Sequence, residues 1–315
     1  MCLLTFKKID INNINYCYYL SILLINKYML AKLNDLVLVK IVSRPSKLCK
    51  TPYVADIELN DGSIVQAHCA SMGCCGLSEK GSYVYASPIK SNCAQSKSKV
   101  CSYKIYLANF CEEKIINTHL CINNQLIGVD PKLAETLVEN ALSKNYLKTL
   151  TNIKTYKREV KLLNSRFDFA GIDENGKYFV LEVKNVPLAD YADVSSNDRK
   201  KMIKRGDFTH IAINEKISYF PDGYRKKKGA VVSERALKHI NELAEITHSK
   251  IIRPSICFVI QRTDVTSFQA SVLDPIYKDA FNEAIKKGVE VIVLVVSWNA
   301  EGEASFITCD LPINY

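Results

Sequence analysis

The sequence contains no glycine-rich phosphate loop of the Walker or dinucleotide-binding kind, which sets aside the nucleotide-binding folds that depend on one. It has no Gly-x-Ser-x-Gly elbow, so no serine nucleophile of the α/β-hydrolase kind is encoded. Its five histidines show no paired metal-ligand spacing, and no two cysteines stand as Cys-x-x-Cys. Nor is there an obvious membrane span. The apolar run at 16–25, YCYYLSILLI, follows Lys7 and Lys8 but is too short to cross a bilayer, and no small-residue cleavage site follows it. Met29 is a credible alternative start. Residues 1–28 are therefore expected to be an extension outside the fold of an intracellular protein that is neither secreted nor membrane-bound.

What is present describes a folded protein. Of 315 residues, 48% are hydrophobic and 24% charged, which argues against disorder and leaves room for one large domain or two ordinary ones. The net charge of +9 suits a polyanionic partner such as nucleic acid, although a composition rich in Ile, Asn, Lys and Tyr accounts for part of the lysine excess. Twelve cysteines occur, ten of them in the first 121 residues. Cys69, Cys74, Cys75 and Cys93 with His68 could be assembled into a metal site, but the spacings fit no usual ligand pattern. Reduced structural thiols are the better reading.

The most informative segment is a hairpin. Phe167-Asp168-Phe169 lies on one side, Leu181-Glu182-Val183-Lys184 on the other, and Asp173-Glu174-Asn175-Gly176 makes the turn. Strand side chains alternate, so Glu182 and Lys184 share a face while Val183 takes the opposite one. Val180, Leu181, Val183 and Val186 make the second strand largely buried, and charged groups there need partners or a metal. Asp168, Glu182 and Lys184 are thus the candidate catalytic residues, with Asp168 and Glu182 as ligands of a divalent metal, Mg²⁺ or Mn²⁺. Metal-dependent phosphodiester cleavage uses this set: acids hold the cation, and a lysine offsets charge growing on the phosphate.

Around the hairpin, the pattern predicts a mixed α/β (α+β) chain. Short strands at 36–42, 53–59, 63–68, 83–86 and 103–110 suggest a small barrel of the oligonucleotide-binding type at 29–128, with Tyr83, Tyr85, Tyr103 and Lys104 as candidate single-strand contacts. An α/β half follows at 129–315. Its helices are capped by Asp130 before Pro131, by Ser233, and by Asp274 before Pro275. Strands are expected at 255–261 and 289–297. A polar, basic insertion at 190–232 reads as a solvated loop region carrying two clusters: Arg199, Lys200, Lys201, Lys204 and Arg205, then Arg225, Lys226, Lys227 and Lys228.

Several segments in order resemble the sugar fermentation stimulation protein family, SfsA. They are 54–77 (VADIELNDGSIVQAHCASMGCCGL), 128–142, Ser165-Arg166-Phe167-Asp168-Phe169, Leu181-Glu182-Val183-Lys184-Asn185-Val186, Phe220-Pro221-Asp222, Lys238-His239, Gln261-Arg262-Thr263-Asp264, Leu273-Asp274-Pro275-Ile276-Tyr277 and Gly288-Val289-Glu290-Val291. The resemblance spans about 36–296. It implies an N-terminal oligonucleotide-binding barrel, a C-terminal domain of the PD-(D/E)XK nuclease type, DNA binding with little sequence preference, and a link to maltose and other sugar metabolism. Carried over by position, Asp168 and Glu182 are metal ligands and Lys184 the catalytic lysine. Glu139, on the preceding helix, is a candidate further acid. Arg166, Asn185 and the two basic clusters are candidate nucleic-acid contacts. The substrate is expected to be DNA, with RNA as a further possibility. The alternative is a DNA-binding regulator that does not cut. Two departures stand out: Ala70-Ser71-Met72-Gly73-Cys74-Cys75 replaces the family's Pro-Asn-Thr-Gly segment, and the 190–233 region is longer than usual.

Overall fold

The computed structural model describes residues 28–71, 76–89, 101–116, 119–221 and 231–315. The expected extension up to residue 27, Cys74, Cys75, Cys93 and the basic cluster Arg225, Lys226, Lys227 and Lys228 lie outside the described residues. Among the described residues no helix is long and apolar enough to cross a membrane.

Among the described residues the chain forms three sheets and four α-helices, a mixed α/β architecture in which strands predominate. The largest sheet has seven strands, in the order β1 (Met29–Lys32), β16 (Glu303–Thr308), β15 (Glu290–Trp298), β13 (Ile252–Ile260), β10 (Tyr178–Val186), β9 (Ser165–Asp173) and β8 (Ile153–Leu162). Its centre, β10–β13–β15, is parallel and its flanks are antiparallel. The central strands are buried on both faces, which is why Ile256–Ile260 and Ile292–Val296 read as unbroken apolar runs. Helix α1 (Pro131–Ser143) covers one face, packing Leu133, Leu137 and Val138 with Leu181 and Val183. Helices α3 (Glu234–Ile246) and α4 (Pro275–Lys286) cover the other, packing Ile240 and Phe281 with Val180, Val186 and Phe258. Asp130, Ser233 and Asp274 each accept a hydrogen bond from a first-turn amide, as expected of caps.

Six strands make the second sheet: β4 (Ile64–His68), β3 (Val54–Glu58), β2 (Val37–Ser43), β5 (Tyr83–Pro88), β6 (Tyr103–Ile116) and β7 (His119–Gly128). The sheet curls until β4 meets β6 in a short parallel seam, Ala67 opposite Tyr103 and His68 opposite Lys104. The result is barrel-like around Ile41, Ile57, Ala67, Val84, Ile105 and Ile127. Residues 29–32, expected with the barrel, instead form β1 on the edge of the larger sheet, paired with β16.

The insertion differs from the solvated loop expected of it. It contributes β11 (Ala189–Asp190) and β12 (Lys216–Phe220) to a small third sheet with β14 (Val265–Ala270) and β17 (Ile313–Asn314). Between β11 and β12 lies helix α2 (Ser196–Arg205). Tyr219 and Ser218 are buried, so β12 is part of the core despite its charged surroundings.

Candidate functional site

The candidate site is a fork between two strands. The β9–β10 ladder runs from Ile172–Tyr178 to Phe169–Leu181 and then stops. One step on, the backbone N–H of Val183 donates instead to Asp168 Oδ2 at 2.7 Å. A carboxylate therefore replaces the next rung, and Asp168 is held beside Glu182. At the other end, Gly176 adopts φ +79°, which the Asn-Gly turn needs, and Asp173 Oδ1 accepts the amides of Asn175 and Lys177.

Val183 enters the α1 side of the core, while Glu182 and Lys184 take the α3 side. Glu182 is only 2% exposed. Its Oε1 accepts Lys184 Nζ at 2.5 Å and the Nδ1–H of His239 on α3. Among the described residues its Oε2 is buried with no hydrogen-bond partner, and so is the Tyr277 hydroxyl. Burial would push the Glu182 carboxyl up, but the charge of Lys184 and the hydrogen bond from His239 hold it below the ordinary carboxylate range. A low value means Glu182 is a carboxylate that can only accept, so His239 Nδ1 carries the proton of that bond. Burial, and then the charge of Glu182, push Asp168 up to about 7, despite the Val183 amide and Lys184. Burial, and then Glu182, also push the Tyr277 hydroxyl well up.

The fit to a cation rests on donor chemistry. Asp168 and Glu182 offer hard oxygen ligands, one of them orphaned and buried, which suits a divalent ion of the Mg²⁺ class. Among the described residues no group of three or more His, Cys, Asp or Glu side chains is placed to hold a metal. The protein would thus supply two carboxylates, with water and substrate completing the shell, the usual pattern for Mg²⁺.

The structure sorts the other expected residues. Glu139 is clamped by Arg158 Nη1 at 2.7 Å and by the Tyr156 hydroxyl at 3.2 Å. Arg158 Nη2 also holds Glu135 at 2.9 Å, and Glu135 is the helix acid whose charge raises Asp168. Arg166 is exposed and paired with Glu159 at 2.9 Å. Both polar ends of Asn185 are used inside the protein: it donates to Gly128 O at 3.2 Å and accepts from Gln261 Nε2 at 2.7 Å. Gln261 in turn accepts from the Trp298 indole at 2.7 Å, so this network ties the end of β7 to the main sheet. Arg199 pairs with Asp190, whereas Lys200, Lys201, Lys204 and Arg205 are exposed on α2. In the barrel, Lys104 reaches Asp130 at 2.5 Å and Tyr83 is half exposed. Sequence reasoning assigned no role to His239, Glu135 or Gln261, although His239 and Gln261 stood within recognised motif pieces. Their roles depend on which helix or strand packs above them.

The model of the sugar fermentation stimulation protein RE domain matches residues 132–196 and 209–302. A sugar fermentation stimulation protein homolog from Alteromonas mediterranea is 32% identical over 248 residues, 76% of this chain and 84% of the relative. The chain belongs to the sugar fermentation stimulation protein family. A second SfsA homolog, from Synechocystis, is 30% identical over 256 residues, covering 79% of this chain and 86% of its own length. The structure of Pyrococcus furiosus SfsA in complex with Ca²⁺ superposes with a TM-score of 0.67 at 18% identity, over 91% of this chain and 99% of that one. The SfsA fold is therefore shared across nearly the whole chain. The match to the family model is interrupted at 197–208, which is α2 and its exit.

Proposed function

We propose that this protein is a metal-dependent nuclease that hydrolyses phosphodiester bonds in DNA, with RNA as a further substrate, on a PD-(D/E)XK-type site. The observation that carries this reading is the buried, unpartnered Oε2 of Glu182 beside Asp168 and Lys184. Asp168 and Glu182 would hold Mg²⁺ or Mn²⁺; the Ca²⁺ complex of the Pyrococcus relative is in line with a hard divalent ion on this fold. Such a cation supplies neutralisation of phosphate charge and activation of water.

The remaining work falls to the chain. His239 and Lys184 both engage Glu182 Oε1, which leaves Oε2 as the free donor. The Val183 amide fixes Asp168 at the fork. The Lys184 side chain is 11% exposed, and its ammonium would offset the charge that builds on the phosphate oxygens during attack. The net charge of +9 draws the polyanion in without reading its sequence.

The test is cleavage of labelled single- and double-stranded DNA and RNA with Mg²⁺, Mn²⁺ or EDTA, comparing wild type with Lys184→Ala. Metal-dependent cutting lost in the variant is expected. Cutting that survives it would remove Lys184 from the site. If neither protein cuts but both keep salt-sensitive DNA binding, the protein is the non-catalytic DNA-binding regulator.

A further inference from the structure

We propose that α2 is a phosphate-backbone contact for nucleic acid, added to the family fold in this chain; the inference rests on nucleic acid being the substrate. Three independent observations point to it. First, α2 buries no side chain at all. With Met202 and Ile203 its only apolar side chains and neither of them buried, it gains little from the hydrophobic effect, and ten residues are too few to be stable alone. Second, α2 is nevertheless held in place. Ser195 caps it by accepting the Asp198 amide at 3.2 Å, and Gly206 ends it in the left-handed region. Arg199 pairs with Asp190 near its start, and Phe208, just beyond its end, packs on the Tyr191 ring at 5.4 Å. Between these anchors it stands over a cavity of about 250 Å³ lined in part by Glu112, Lys114 and Ile203. Third, its outward charge opposes helix formation. Lys200 and Lys204 lie one turn apart, as do Lys201 and Arg205, and like charges at that spacing destabilise a helix.

Segment 197–208 carries five cations against two acids, three of the chain's nine net positive charges. Lys201 and Arg205 have only exposed partners, Asp198 and Asp207, on or beside the same helix. Among the described residues Lys200 and Lys204 have no acidic partner. A repulsive row of cations on an anchored helix is complementary to a row of phosphates, which would relieve the repulsion and release counterions. The contact is to the backbone, so it strengthens binding without selecting sequence. The match to the family model is interrupted over this segment, so the helix lies outside the residues that the model recognises.

The experiment measures affinity for labelled duplex DNA in EDTA, across a salt series, for wild type and for a Lys200→Ala, Lys204→Ala, Arg205→Ala variant. Binding is expected to weaken about tenfold or more at low salt, and the slope of log affinity against log salt to fall by roughly 2 to 3. Lys→Arg changes at 200 and 204 should keep both. An unchanged affinity and slope would overturn the proposal. A second measurement needs no variant: in the wild-type chain, DNA should protect Lys200, Lys201 and Lys204 from acetylation, and equal labelling with and without DNA would also overturn it. Cleavage is scored in parallel. A variant that binds as wild type while wild type cuts refutes the role of α2 and leaves the nuclease reading standing. Weakened binding with no cutting in either protein does the reverse.

Discussion

Two clusters of buried acids and cations in this molecule use similar residues to opposite ends. Asp264 sits at the junction of barrel and third sheet, where its carboxylate accepts from Lys216 at 2.9 Å, Asn123 at 2.6 Å, and Arg262 Nε and Nη2 at 2.5 and 2.6 Å. Lys216 is shared with Glu112 at 2.8 Å and lies 4.8 Å from the Tyr191 ring centroid. Burial alone would raise Asp264, but Arg262 and Lys216 bring it down to about 2. At the β9–β10 fork the balance is reversed. Two acids share one lysine and one histidine, an oxygen of Glu182 is orphaned, and Asp168 is pushed up to about 7. The Asp264 carboxylate, with both oxygens held, ties barrel and third sheet together. The orphaned oxygen and the crowded second acid are what make the fork the candidate site.

The largest expected effect breaks the satisfied cluster. Asp264→Ala leaves Lys216 and Arg262 buried and undercompensated, and should cost about 3–5 kcal/mol of stability in denaturant unfolding. A loss below about 1 kcal/mol would mean the hub is not load-sharing. At the fork the contrast should appear as activity. Asp168→Asn is expected to lower cutting by about 10²–10³-fold. Its metal-free melting temperature should stay at or above that of wild type, because the change removes one of two crowded acids. A marked drop in melting temperature would make Asp168 a structural residue like Asp264.

Acid separates the clusters next. The folded value of Asp264 is about 2 against an ordinary 3.8, so its contribution is complete above about pH 4 and is lost as pH falls toward 2. About 2 kcal/mol should disappear over that window in wild type and not in Asp264→Asn. The smallest effect sharpens the role of His239 as a positioning residue for Glu182. His239→Ala should weaken Mn²⁺ binding, followed by calorimetry, by about tenfold, while duplex DNA affinity in EDTA is unchanged. Equal Mn²⁺ affinity in both proteins would leave His239 with a packing role against Phe167.

Much of the site was readable because it is local. Asp168, the turn and Glu182-Val183-Lys184 lie within one hairpin, and strand alternation puts the charged pair on one face. The caps were equally plain, since Asp130, Ser233 and Asp274 act within three residues of themselves. Strand β8, IKTYKREVKL, was not read because it is an edge strand whose charges hide its alternation. Strand β12 was missed for a related reason, being a short apolar segment between runs of lysine and arginine. Asn185 looked like a surface contact beside the motif, but its amide is used in a network that includes Gly128, Gln261 and Trp298, residues far away in the chain.

By itself the amino-acid sequence determined family membership, the mixed α/β class, the helix starts, and the hairpin that carries Asp168, Glu182 and Lys184, because each depends on neighbours within a turn or a strand. Only the tertiary structure decided that the charge of Glu135 would be felt by Asp168, that His239 would close on Glu182, that Oε2 would be left without a partner among the described residues, and that the Asp264 carboxylate would be fully held while Glu182 is not. Those outcomes depend on how elements distant in the chain pack against one another, and on burial, which strengthens each charge and raises the cost of leaving one unpaired.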